Sequence, residues 1–121
     1  MENQTGLDIR YDTKTGDHAL EPSFNEVLRG TIINTLTDIF GKKAASNILK
    51  SIERVYSLKL EDIPENGRQF ESALESLLGK GHIIIIDLIL ENLFVNQGQK
   101  YVYVENYGFS DYINRLMKMR E

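Results

Sequence analysis

The chain has 121 residues, no cysteine and a formal net charge of −4; this is the length of one domain, and disulfides, thiolate metal sites and cysteine nucleophiles are excluded. Its apolar fraction of 41% suffices for a core, so the composition is not that of a disordered chain. The longest apolar run, broken by Asp87, is about half the ~20 residues a membrane helix needs. The polar, acidic start MENQTGLDIRYD is no secretory signal, and a cytoplasmic protein is expected.

In residues 1–22, Leu7, Ile9 and Tyr11 alternate and Asp12 to Asp17 is turn-like, but His18-Ala19-Leu20 would make a weak second arm of a hairpin. A flexible N-terminal arm is expected over 1–22, ahead of a single helical domain over 23–121. Ser23-Phe24-Asn25-Glu26 is a capping box. Phe24, Leu28, Ile32, Leu36, Ile39 and Phe40 then keep helical spacing until Gly41. Gly30, inside this helix, lowers its propensity by about 1 kcal/mol relative to Ala. A second helix, from about Lys43 to Tyr56, carries the stripe Ala45, Ile48, Leu49, Ile52, Val55 and Tyr56, with Lys43, Asn47, Lys50 and Glu53 or Arg54 outside. Basic amphipathic helices can meet membranes or partner proteins, but a core-facing helix with a solvated outer side is the simpler reading.

Two starts compete for the third helix, Asp62-Ile63-Pro64-Glu65 and Asn66-Gly67-Arg68-Gln69. The second leads more directly into Phe70, Ala73, Leu74, Leu77 and Leu78, and Gly79 stops the helix. After Gly81, HIIIIDLILENLFV is longer than most strands and suits a buried helix. Gln97-Gly98-Gln99 is a turn, and Lys100 to Glu105 has β character. If residues 93–95 are extended, a short hairpin forms near residues 93–104. Ser110 is placed to cap a last helix with Tyr112, Ile113, Leu116 and Met117, ending in Lys118 and Arg120, where bases suit the macrodipole. The expected fold is therefore mainly α, a compact bundle of four to five helices, with that hairpin as an option.

Charge is uneven along the chain. Residues 1–22 carry −3, residues 42–59 carry +4 through Lys42, Lys43, Lys50, Arg54 and Lys59 against Glu53, and residues 61–76 carry −4. The basic second helix is expected beside the acidic third. A nucleic-acid footprint asks for a basic domain, which this is not.

No residue pattern assigns catalysis, a cofactor or a metal. Gly79-Lys80-Gly81 lacks phosphate-loop spacing and reads as a cap and a tight turn. His18 and His82 sit in no metal-ligand pattern, and His82 is expected at the surface or as a cap. Asp62 and Glu65 have a structural task at a helix start. Asp87 is expected on an exposed stripe with Glu91; buried, it would need a base such as Lys50 or Arg54. Tyr101, Tyr103, Tyr107, Phe109 and Tyr112 are dense for so short a tail. They can cover the core, stack bases or form an interface, and they are the candidate interaction residues.

Tyr56, the run Leu60-Glu61-Asp62-Ile63-Pro64, Phe70, Ala73-Leu74-Glu75-Ser76, Leu78-Gly79, Gly81 and the apolar segment that follows resemble the NitrOD5 output domain of archaeal signal-transduction proteins. With looser agreement through the second helix, the resemblance covers about residues 40–94. It implies a regulatory output module without catalytic residues. The expectation is a protein that acts by association with a protein partner or a second copy of itself, as a homodimer, with no membrane and no cofactor. The alternative is a winged-helix-like DNA-binding regulator with its wing at Gln97–Lys100.

Overall fold

Ser23 opens the first helix as its sequence asks. Its hydroxyl accepts from the Glu26 amide at 3.2 Å, and the Glu26 carboxylate accepts from the Ser23 amide at 2.9 Å. Helix α1, Phe24–Phe40, follows in this computed structural model, which describes residues 23–120. The arm expected over 1–22 lies outside the described residues. Gly41 ends α1 and directly begins α2, Lys42–Tyr56. At φ 89° it adopts a conformation that L side chains resist, and its amide donates to Thr37 while its carbonyl accepts from Ala45.

The two competing starts are both used. Leu60–Glu65 forms a 3-10 turn that buries Ile63 and Pro64, and α3, Gly67–Leu78, begins just after it. Asn66 does not cap α3 with its side chain, as its position suggested. Its Nδ2 instead donates back to the Asp62 carbonyl at 2.7 Å, locking the turn to the helix. Gln69 of α3 reaches across to donate to the Tyr56 carbonyl at 3.1 Å, which satisfies one of the carbonyls left open at the end of α2. A second 3-10 turn, Gly79–Gly81, leads into α4, His82–Asn96. Helix α5, Phe109–Arg120, closes the domain.

The isoleucine-rich α4 is central and packs against α1, α3 and α5. It buries Ile85, Ile86, Ile89, Leu90, Leu93 and Phe94 against Leu28, Ile32 and Leu36 of α1, Phe70 and Leu74 of α3, and Phe109, Ile113 and Leu116 of α5. The basic α2 lies against α1 and the acidic α3, with Ala45 and Ile52 buried. Four apolar residues read as core-facing, Ile39, Phe40, Val55 and Leu77, are exposed. They lie at helix ends, where no neighbouring element covers them.

The described residues contain no strand, so the hairpin considered near residues 93–104 is not formed. Residues 93–96, which would have been its first arm, continue α4. Gly98, at φ 72°, terminates that helix: its amide donates to the Val95 carbonyl at 2.9 Å and the Gln99 amide to that of Phe94 at 2.8 Å, the paired bonds of a Schellman motif. The β-favouring run after it therefore has no partner strand. The last helix also starts differently from expectation. It begins at Phe109, before Ser110. The Asp111 carboxylate accepts from the Gly108 amide at 2.8 Å and the Glu71 carboxylate from the Phe109 amide at 3.3 Å, so two acids sit at the positive end of its dipole.

Candidate functional site: an aromatic cleft between α4, α5 and their connection

Tyr112 is the hub of the tail. Its buried phenol lies beneath the 97–108 connection, accepting from the Val104 amide at 2.8 Å and donating to the Val104 carbonyl at 3.3 Å. Around its ring, Phe94, Tyr101 and Tyr107 make edge-to-face contacts at centroid distances of 6.3, 5.3 and 5.0 Å. Such geometry sets a positive ring edge on a negative face. Phe109 packs on Phe70 at 5.3 Å. Tyr112 and Phe109 are thus core residues of the domain.

Tyr101 is half-buried, with its ring against Phe94 at 5.5 Å and its hydroxyl donating to Asp87 Oδ1 at 3.1 Å. Burial, then the Asp87 charge and the hydrogen bond to it, hold the Tyr101 phenol well above the ordinary tyrosine range. Asp87 itself is exposed, as is Glu91, which agrees with the exposed stripe read from the sequence. Tyr103 is 73% exposed and Tyr107 40%. The five aromatics therefore divide into two inside the domain, one linking tail to α4, and two facing outward.

These side chains line a cleft of about 120 Å³ together with Ile83, Ile86 and Asp87 of α4 and Glu71 of α3. Ile83 is 56% exposed and adds an aliphatic wall beside Tyr103 and Tyr107. Ile83 is not one of the five candidate interaction residues; the signal available was its position in the first turn of an apolar helix, one residue before Ile84, which is also exposed. Glu71 was read only as part of the acidic run, yet it caps α5 and borders the cleft.

A second feature was not read from the sequence. Thr31 and Thr35 of α1 are buried, and they accept hydrogen bonds from Asn96 and Asn92 of α4 at 3.2 and 3.0 Å. Pairing of 31 with 96 and 35 with 92 makes the two helices antiparallel. A polar groove of about 510 Å³ opens above this seam. Thr31 and Thr35 fall on the stripe of Leu28, Ile32 and Leu36, which was the only clue.

The remaining candidates resolve locally. His82 Nδ1 lies 2.8 Å from the Gly79 carbonyl; a carbonyl only accepts, so the proton is on Nδ1, and the ring closes the α3–α4 turn as the expected cap. The His82 amide is bonded to carbonyls of the Gly79–Gly81 turn, which leaves it no hydrogen for a phosphate. His18 lies outside the described residues. Among the described residues no group of three or more His, Asp or Glu is placed to hold a metal ion, and no helix is long and apolar enough to cross a membrane. The run Leu60-Glu61-Asp62-Ile63-Pro64, which carries most of the NitrOD5 resemblance, is a structural wedge against α1, α3 and α5. No protein-family model, no curated protein and no solved structure matches the chain.

Proposed function

We propose that this chain is a small regulatory or output module of an archaeal signalling pathway, acting by protein–protein association rather than by catalysis. The association surface is the outward wall of the aromatic cleft, formed by Ile83, Tyr103 and Tyr107, and a second copy of the chain is its partner. The single observation that supports this is the convergence of Ile83 from α4 with Tyr103 and Tyr107 from the connection, all exposed, on one cleft held from behind by the buried Tyr112. Rigid, exposed tyrosines beside an aliphatic wall give a large contact area at low side-chain entropy cost, the composition of association hot spots. The signalling assignment rests on the resemblance of residues 40–94 alone.

The DNA-binding alternative is favoured by no observation. Its wing would be a strand pair at Gln97–Lys100, where the chain instead ends α4 in a Schellman motif, and α3 bears Glu71 and Glu75 against Arg68, unfavourable beside phosphates.

Molar mass in solution, measured by light scattering on a size-exclusion column over a dilution series, tests the proposal. The expected value approaches twice 13.9 kDa at high concentration. A mass of one chain at every concentration would remove the second copy as partner.

A further inference from the structure

The inner side of the aromatic cleft has a chemistry that contact through its outward wall does not use. Besides Tyr101, Tyr103 and Tyr107 it is lined by two carboxylates, Asp87 of α4 and Glu71 of α3, and among the described residues no lysine, arginine or histidine lines it. Asp87 Oδ1 accepts from the Tyr101 hydroxyl at 3.1 Å and Glu71 Oε1 from the Phe109 amide at 3.3 Å. Both donors are neutral, so both negative charges remain. The rings stand as a cage. Tyr112 is buried and forms the floor. The planes of Tyr101 and Tyr107 lie at 68° and 72° to it, with centroids 5.3 and 5.0 Å away. Rings at such angles make walls, not a stack, and the exposed Tyr103 completes the rim. An aromatic face carries negative potential. Rings and carboxylates therefore favour the same guest, a cation within about 6 Å of the ring centroids.

Size and hydration choose among cations. The cleft holds about 120 Å³, the room of roughly four waters at ~30 Å³ each and well below the ~300 Å³ at which sites for drug-sized ligands begin. It suits one head group of about five heavy atoms, the size of a trimethylammonium. A metal ion asks for more oxygens, and among the described residues no group of three or more His, Asp or Glu is placed to hold one. A bare ammonium needs acceptors for its three N–H bonds, in a site walled mainly by carbon. A methylated ammonium has no such bonds to satisfy. Its methyl groups spread the charge and pack on ring faces and on Ile83, Ile86 and Leu90.

We infer that the cleft is a binding site for a methylated ammonium group, as carried by choline, with Tyr101, Tyr103 and Tyr107 as the cage and Asp87 and Glu71 as the counter-charges. The site is complete within one copy. It goes beyond the self-association proposed above and does not depend on it, although Tyr103 and Tyr107 belong to both.

Titration of the full chain with choline at constant ionic strength, followed by amide chemical shifts, tests this. The control ligand is the neutral alcohol in which a tert-butyl group replaces the trimethylammonium, so that shape is kept and charge removed. Shifts are expected at Asp87, Tyr101, Tyr103 and Tyr107, saturating with choline at least about tenfold more tightly than with the alcohol. Asp87→Asn/Glu71→Gln keeps both hydrogen-bond acceptors without their charge, and Tyr103→Leu keeps an apolar side chain without the ring. Each should weaken choline about threefold or more with circular dichroism unchanged. Sedimentation with phosphatidylcholine vesicles separates the sources of the group: a chain that stays in solution takes the free cation, and one retained until choline displaces it takes the lipid headgroup. Equal affinity for choline and the alcohol, no saturable shift with choline, or binding that both variants leave intact would each overturn the inference. Molar mass measured on the same samples keeps the two readings apart. Choline binding to a chain of single mass removes only the second copy, and a dimer that ignores choline at every dilution removes only this site.

Discussion

Gly30 and Gly67 are both helical glycines, and the space around each sets opposite outcomes for alanine. A Cβ on Gly30 would meet nothing within 4 Å, so Gly30→Ala should raise stability by up to about 1 kcal/mol through helix propensity and a less mobile unfolded chain. A Cβ on Gly67 would lie 3.0 Å from Ser110 Cα and 3.2 Å from its amide nitrogen. Backbone cannot swing aside, so α3 and α5 must separate, and Gly67→Ala should cost about 1–3 kcal/mol. Urea denaturation of both variants checks the pair, and a stable Gly67→Ala would mean that the two helices do not meet closely. Tyr101 carries a pH prediction. Its native phenol is held above the ordinary range, so the unfolded chain gives up that proton first. The stabilisation is complete below about pH 10, the unperturbed tyrosine value, and is lost as pH rises beyond it. At neutral pH, Tyr101→Phe should cost about 0.5–1.5 kcal/mol for the hydrogen bond to Asp87. The gap between the two denaturation curves should close above about pH 10; curves that stay parallel would contradict the Tyr101–Asp87 geometry. The capping box behaves in the opposite sense. Hydrogen bonds that the Glu26 carboxylate accepts from the Ser23 amide and hydroxyl, with Arg29 nearby, lower its pKa, so its support of α1 is present above the ordinary glutamate range and is lost on acidification.

At the scale of elements, the connection between α4 and α5 is held at few points. Tyr112 accepts from and donates to Val104, Tyr101 reaches Asp87, and Tyr107 closes a turn onto the Val104 carbonyl at 3.1 Å with Asn106 at φ 70°. Tyr112→Phe keeps the buried ring but leaves the Val104 amide without its acceptor, at a cost of about 1–3 kcal/mol. Hydrogen exchange should quicken at Val104 and Tyr107, with amides of α1 and α2 changed far less, since such openings are local. Equal acceleration everywhere would make Tyr112 a general core residue instead of a clasp. The sequence made α1 to α4 legible because their signals are local: a capping box at Ser23, apolar residues at three- and four-residue intervals, and glycines at 41 and 79 where the chain turns. It could not show that Ile39 and Val55 would be left uncovered, because exposure at a helix end depends on which neighbour is there. The tail failed for a related reason. Lys100 to Val104 favours a strand, but a strand needs a partner for its backbone, and Gly98 had already committed residues 93–96 to the helix. The candidate aromatics were legible as a group, whereas their division between core and surface follows from how α5 docks. Thr31, Thr35 and Glu71 act through residues far along the chain, and no local pattern names those partners.

For the whole molecule, the decisive question is whether the tyrosines support folding or association, and they lie at different depths. Tyr112 and Phe109 are nearly inaccessible, while Tyr103 and Tyr107 project outward beside Ile83. If a second copy covers that wall, binding stabilises the native state by mass action, and the thermal midpoint of the unaltered chain must rise with protein concentration. The double variant Tyr103→Ser/Tyr107→Ser should abolish that dependence and hold the mass near 13.9 kDa. Because exposed side chains contribute little to folding, its stability measured at high dilution should stay within about 1 kcal/mol of the unaltered chain; the contact of Tyr107 with Tyr112 sets that allowance. Tyr112→Ala should do the reverse. It empties a buried aromatic site at a cost of about 3–5 kcal/mol, and any loss of association would follow from loss of fold. Light scattering and urea denaturation on the same three proteins give a two-by-two outcome. Association lost without folding in the first variant, and both lost together in the second, is the result expected of an outward contact surface. A first variant that remains dimeric would place the contact elsewhere, with the exposed Ile84 and Val95 of α4 next in line for substitution. A first variant that unfolds would instead return Tyr103 and Tyr107 to the core.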